Sequence, residues 1–375
     1  MTFKIKNRLN IFDKCILTLN LISCLVLLIS YLAPITDPAS FWMIAILGLA
    51  YPFLLFINIT FVIYWLFRNR PLSLISLVGI MIGIKILLAN FSFHQFKAAN
   101  HSQRVGHIKI MAYNVHGFGG FEGVDYQAVQ KGIFDLITRE QPDIINVEEF
   151  YENIATREKI FASFTKAMKS THYYFQPYDY TQWDSTGIAI FSKFPIVNRG
   201  IIRVPKASQT QAIFADVKYG GQMIRVYCVH LQSTHFENPE HQYLDSLRHY
   251  GKINLHETKI IGNKLKDAFI KRSYQVATLK EQMNKCPYPF IIGGDFNDTP
   301  ISYTINQMSK GLKNAFTEKG KGTGITYYGD FPHSQIDYIL TGPQIDVVNY
   351  KVIKAQLSDH YPIVSELYLN KNPSQ

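Results

Sequence analysis

Charge is missing from three long stretches near the start of this 375-residue chain. Cys15–Leu32 and Phe41–Phe67 hold no Asp, Glu, Lys or Arg, and Leu72–Phe93 holds only Lys85. Runs of about 20 apolar residues are long enough to span a bilayer. No small-residue cleavage site follows the first run and two more runs succeed it, which argues against a removed signal peptide. None of the runs contains an acidic residue, so the acidic groups of an ion or proton path are absent and anchoring is the simpler role. Cysteine is scarce as well. Of the four, Cys15 and Cys24 lie in the first run, while Cys228 and Cys286 are too few for a disulfide framework and show no metal-ligand spacing. There is no internal repeat and no low-complexity stretch.

The three runs predict a membrane anchor over residues 1–94, with transmembrane helices at about 12–33, 41–67 and 72–93. Lys85 must snorkel or face a neighbouring helix. Lys4, Lys6, Arg8 and Lys14 precede the first span, Arg68 and Arg70 lie between the second and third, and Ala33–Ser40 has no Lys or Arg. Basic flanks stay in the cytoplasm, so three spans place everything after His94 outside. In a bacterium with two membranes, that is the periplasmic face of the inner (plasma) membrane. Residues 95–107, with His101 and Arg104, read as a polar linker to a domain over 108–370.

The formal net charge is +10. Residues 1–96 carry seven Lys/Arg against Asp13 and Asp37, a net +5, which leaves only +5 on the other 279 residues. Half of the excess is thus a topology signal, and the rest is modest for a sequence-independent DNA binder.

From Ile108 onward, short β-rich runs alternate with helical ones such as Tyr126–Glu140 and Asn153–Lys169. The runs end in polar groups. Ile108–Tyr113 delivers Asn114 and His116, Pro142–Val147 delivers Glu148 and Glu149, and Met223–Val229 delivers His230. Ile291–Gly294 delivers Asp295 and Asn297, which leave an extended chain on the same side. Gln335–Leu340 contains Asp337, and Ser358–Pro362 contains Asp359 and His360.

This set, in this order, resembles the endonuclease/exonuclease/phosphatase superfamily over roughly Ile108–Leu369, with GGDFND and SDHYPI the specific elements and Gly187–Ile196 like its central strand and turn. The resemblance implies a four-layer α/β sandwich: two packed, mostly antiparallel sheets flanked by helices, with the site at one end of both sheets. Here three transmembrane helices would precede it. It also implies a Mg²⁺-dependent phosphoesterase, with Mn²⁺ a plausible substitute, since oxygen ligands without clustered Cys or His suit hard cations.

Under that resemblance Glu149, supported by Asn114 and Asp359, would hold the metal, and Glu148 takes the place of the family's Gln as a hydrogen-bonding neighbour. Asp337 would orient His360, whose imidazolium stabilises phosphate charge in the transition state. Asp295 would orient or deprotonate the attacking water, Asn297 would donate to a non-bridging oxygen, and His230 would contact the phosphate. His116 stands where some nucleases have a second acidic ligand, which favours one metal. Gln335 replaces a frequent Arg. The segment Gln232–Ile270, with His235, His241, His249 and His256, is longer than the family minimum and reads as a solvated helical run or a lid beside the site.

The leading expectation is a membrane-integral enzyme hydrolysing a phosphodiester or phosphomonoester outside the cytoplasm, with a lipid headgroup as one candidate. The alternatives are an extracytoplasmic nuclease acting on DNA or RNA and a non-catalytic binding protein on the same fold. No obligate protein partner is implied.

Overall fold

The computed structural model describes residues 9–94, 106–119, 125–203, 212–234, 236, 238–329 and 333–370. Lys4, Lys6, Arg8, most of the 95–107 linker including His101 and Arg104, and His235 lie outside the described residues.

The apolar amino-terminal runs fold into helices α1 (Ile11–Ser30), α2 (Pro38–Phe41), α3 (Met43–Leu49), α4 (Tyr51–Arg68), α5 (Arg70–Ile82) and α6 (Ile84–Asn90). By length and composition α1 and α4 can each cross a membrane. The stretch expected as a third span is bent by 64° between α5 and α6. The break falls at Gly83, where a Cβ would stand 2.2 Å from the Tyr31 ring, so a larger residue there would have to displace Tyr31. Lys85 comes two residues later, in the short α6. The Phe41–Phe67 run is also divided, its first part forming α3 and its remainder α4.

Inside the bundle the polar side chains satisfy one another. Trp65 Nε1 donates to Asn20 Oδ1 at 3.0 Å, Asn20 Nδ2 to Ser76 Oγ at 2.5 Å, and Ser76 Oγ to Asn58 Oδ1 at 2.8 Å. Such a chain links α1, α4 and α5 where apolar packing alone gives little preference between helix faces.

The sandwich has two six-stranded sheets. The first runs β13 (Ile345–Val352), β14 (Ile363–Leu369), β2 (His107–Asn114), β3 (Ile144–Asn153), β5 (Asp184–Ser192), β4 (His172–Tyr180). The second runs β10 (Lys313–Asn314), β12 (Asp337–Thr341), β9 (Phe290–Asp295), β8 (Gln222–His230), β7 (Ala212–Tyr219), β6 (Ile196–Ile202). Each contains one parallel pair, β2 with β3 and β8 with β9, and is otherwise antiparallel.

Alternation sorts the side chains. Ile108, Ile110 and Ala112 turn inward to meet Ile213, Val226 and Ile291 of the other sheet. Met111 and Tyr113 turn outward beneath α7 (Tyr126–Glu140) and α8 (Arg157–Met168). On the far side α10 (Leu255–Asn284) and α11 (Tyr303–Ser309) cover the second sheet through Val276, Leu279, Ile305 and Met308. Four layers result, as expected. The helix α7 has the expected bounds, whereas α8 starts later than Asn153 because β3 continues to that residue and a turn intervenes.

The sandwich packs on the helical bundle. Asn306 Nδ2 donates to the Pro34 carbonyl at 2.6 Å, and Ile301 joins Leu27, Ala33, Ile44 and Tyr51 in one apolar cluster. After α6, β1 (Ser92–Phe93) pairs with β11 (Lys321–Gly322). Helices α9 (Asn238–Tyr250) and α12 (Ala315–Lys319) complete the fold.

Candidate active site

Both parallel pairs end in register at the same end of the sandwich, with Asn114 beside Glu148 and His230 beside Asp295. An unbroken β3 would send Glu148 and Glu149 to opposite faces. A bulge lies between Val147 and Phe150, and Glu149 adopts φ +50°. Glu148 points between the sheets, accepting from Cys228 Sγ at 3.2 Å, and burial pushes its carboxyl well above the ordinary range. Glu149 is re-aimed into the cleft at the strand ends.

There the Glu149 carboxylate accepts from Asn114 Nδ2 at 3.0 Å and lies 3.4 Å from His116 Nδ1 and 3.6 Å from His230 Nε2. Burial alone would raise its pKa, but His116, His230 and Asn114 together hold it below the usual range. His116 bridges Glu149 and Asp359, the latter at 3.6 Å, and the Glu149 contact raises the imidazole's pKa.

Asp295 ends β9, and here the expected geometry changes. The chain does not stay extended. Asn297 takes φ +52°, and the two side chains meet through a turn: Asn297 N donates to Asp295 Oδ1 at 2.8 Å and its Nδ2 to Oδ2 at 3.2 Å. A short polar side chain bonding its own backbone two residues on is the local force that bends such a segment. Asn114 Nδ2 also reaches Asp295 Oδ2 at 3.2 Å. Burial, aided by nearby Asp337 and opposed by His360, pushes the Asp295 carboxyl up to about 7.

Asp337 opens β12 directly across from Asp295. Its Oδ2 lies 2.9 Å from His360 Nδ1, and His360 Nε2 is 3.8 Å from Asp295 Oδ2. Burial disfavours the imidazolium, but the carboxylates of Asp337 and Asp295 outweigh it and raise the His360 pKa well above its ordinary value. Ser358 holds this loop: its Oγ donates to the Asn114 carbonyl at 2.8 Å and accepts from His360 N at 3.2 Å. Adjacent Asp359 and His360 therefore diverge, toward Glu149's side and Asp295's side respectively.

All eight residues singled out from the sequence as catalytic or metal-binding meet around one cleft of about 480 Å³ or its floor. Gln335 does not join them; it is buried, with neither amide atom hydrogen-bonded among the described residues. Sequence reasoning missed Tyr178, whose OH lies 3.5 Å from His230 Nδ1 and which no motif marks. It also missed the buried pair of Arg272 and Asp298, 3.1 Å apart. Arg272 donates to the Gln232 carbonyl at 2.8 Å, and Gln275 Oε1 accepts from Gln232 N at 3.0 Å, so these residues pin the chain leaving β8. The Gln232–Ile270 segment forms α9 and the first half of α10, and His241, Leu265 and Phe269 from it line the cleft.

Buried carboxylates around a histidine, at the rim of two packed sheets beneath helices, define an α/β-sandwich of the phosphoesterase and nuclease type. A family model described as endonuclease/exonuclease/phosphatase matches residues 111–360, and the chain belongs to that family. Residues 13–90 match a second family, described as a domain of unknown function (DUF8431). No curated protein matches the chain.

Solved structures share the fold. An endonuclease/exonuclease/phosphatase from Beutenbergia cavernae is 18% identical with a TM-score of 0.50, covering 72% of this chain and 73% of its own. The human nocturnin catalytic domain with bound sulfate is 17% identical, TM-score 0.50, over 72% and 97%. A family member from Bacteroides thetaiotaomicron is 15% identical, TM-score 0.50, over 72% and 100%.

Proposed function

We propose that this chain is a membrane-anchored, divalent-metal-dependent phosphoesterase whose catalytic domain, residues 108–370, works outside the cytoplasm. The observation that carries the reading is the line Asp337–His360–Asp295 facing Glu149 and Asp359 across one cleft.

Enzymes of this family generally use divalent metals. Two groupings here have the right kind of atoms. Asp295, Asp337 and His360 bring ligand atoms within 4.8 Å of one another, but His360 already lies between the two carboxylates as their counter-charge. Glu149 and Asp359 offer hard carboxylate oxygens around a place where His116 now stands, and Asn114, whose Nδ2 faces Glu149 while its Oδ1 accepts from His116 N at 3.0 Å, would add its oxygen on turning the amide. We assign Mg²⁺ or Mn²⁺ to the second set. A cation bound there would neutralise phosphate charge and stabilise the leaving oxygen.

The residues then divide the work. Asp295, with its raised pKa, takes a proton from water as the water oxygen bonds to phosphorus. His360, oriented by Asp337, His230 and Asn297 donate to the phosphate oxygens as negative charge builds. The bond from phosphorus to the leaving oxygen breaks, and that oxygen takes a proton from solvent.

Orientation rests on two observations. Lys14, Arg68 and Arg70 flank the helices on one side. The sandwich contacts Ala33, Pro34, Trp42 and Ile44, between α1 and α4, where no Lys or Arg occurs. A periplasm-dependent reporter fused after Gln375 should be active and one fused near Asn69 inactive; the reverse would overturn this topology.

For the chemistry, EDTA should abolish hydrolysis of bis-p-nitrophenyl phosphate, and Mg²⁺ or Mn²⁺ should restore it. Chelator-resistant turnover, or rescue by Zn²⁺ alone, would count against the assignment. Plasmid DNA, RNA and phospholipid vesicles assayed side by side then rank the substrates.

A further inference from the structure

The catalytic cleft is not built from the catalytic domain alone. Leu49, the last residue of α3 in the anchor, lines the same cleft as Glu149, Asp295 and His360. On that side it is joined by Leu265 and Phe269 of α10 and by Phe236. Leu49, Leu265 and Phe236 are half-buried and belong to none of the four apolar core clusters of the described residues, so they face the cleft as a wall, while Phe269 is itself buried. The arrangement is held by packing: Ile301 sits among anchor residues, and Lys266 lies over the Trp42 ring at 5.7 Å. Leu49 is two residues before Tyr51, where the membrane-length helix α4 begins, and α4 exposes Phe53, Phe56 and Ile57 on its surface.

The charge lining the cleft is as informative. Among the described residues it has no lysine, and its one arginine, Arg272, is paired with Asp298. A polynucleotide needs cations along its backbone beyond the reacting phosphate. This cleft offers polar groups for one phosphate and an apolar wall beside it.

Resting on the phosphoesterase reading, we propose that the substrate is an amphiphile, a phosphoester joined to an apolar chain that lies against Leu49, Leu265 and Phe236 and continues into the bilayer along the anchor. Leu49 is then a specificity-determining residue contributed by the membrane segment. Water again attacks phosphorus with its proton passing to Asp295, and the apolar chain stays on the retained phosphate or departs with the leaving alcohol.

The test uses the full chain in lipid vesicles with two probes, p-nitrophenyl hexadecyl phosphate and bis-p-nitrophenyl phosphate, both releasing p-nitrophenol. Leu49→Asp should lower the ratio of kcat/KM for the long-chain probe over the short one by about tenfold or more, chiefly through KM. Leu265→Gln, on a different element, should shift the ratio the same way and serves where Leu49→Asp fails to fold. Turnover of both probes by the parent, with the ratio unmoved in the folded variants, would sink the amphiphile assignment and leave the phosphoesterase standing. Nicking of plasmid faster than turnover of the long-chain probe would sink it as well. No turnover of any phosphoester by the metal-loaded parent would remove the phosphoesterase reading, and this inference with it.

Discussion

In the first sheet, the pairing of β2 with β3 ends with Asn114 beside Glu148, and the carboxylate that reaches the cleft is the next residue, Glu149, swung out by a bulge and φ +50°. In the second, β8 and β9 end with His230 beside Asp295, and the reaching carboxylate is the paired residue itself. There the space comes from glycine: Gly294 takes φ +144°, and a Cβ on it would stand 2.1 Å from the Val229 carbonyl oxygen and 2.9 Å from Glu148 Oε1. One sheet steers its carboxylate with an extra residue, the other by removing a side chain. The first carboxylate is partly exposed; the second is buried. Our reading assigns the metal to the exposed rim and proton transfer to the buried one, in keeping with the need to hold a reacting base in a fixed position.

The largest test of this contrast is Gly294→Ala. With no room for the methyl group and a backbone angle that L-residues avoid, it should cost roughly 5 kcal/mol or more and prevent stable folding. A variant that melts within about 2 °C of the parent would show that the glycine exit is not the constraint we describe. Arg272→Ala removes the partner of buried Asp298 and the clamp on Gln232. It should destabilise by roughly 3–5 kcal/mol in thermal unfolding, and a loss under about 1 kcal/mol would mean the second rim is held some other way.

Asp295→Asn keeps size and most hydrogen bonds but removes the base. Turnover should fall at least about 100-fold, roughly 3 kcal/mol of transition-state stabilisation, with folding retained. Near-parental kcat with a matching circular dichroism spectrum would cancel its role. The smallest effect belongs to the exposed rim. Glu149→Gln should raise the Mg²⁺ concentration for half-maximal activity about tenfold, roughly 1.4 kcal/mol, while saturating Mg²⁺ restores much of the rate. A Mg²⁺ titration that coincides with the parent's would move the metal away from Glu149.

Much of this site was legible because most of its residues sit where a β-rich run, or its pairing with a neighbour, stops. Ile291–Gly294 and Ile108–Tyr113 are apolar enough to be strands, and the residues just past a strand end are carried to the rim of the sheet. The conformations at the ends were not legible. Reading Asp295 and Asn297 as neighbours on an extended strand assumed a backbone that the turn at Asn297 replaces. Tyr178 comes from β4 and meets His230 only because the two sheets close on each other. Gly83, at the break, packs against Tyr31 more than fifty residues earlier, and no local pattern records that contact.

By itself, the sequence determined the apolar amino-terminal helices, the alternation of strands and helices, and the polar residues near the strand ends, because hydrophobic periodicity and strand-end chemistry act within a few residues. Only the tertiary structure decided which carboxylate faces the cleft, how Asp295 acquires its raised pKa, and that Leu49 of the amino-terminal helices shares a cavity with His360. Those outcomes depend on burial and on distances between segments far apart in the chain, and close packing fixes such distances only once every layer is in place.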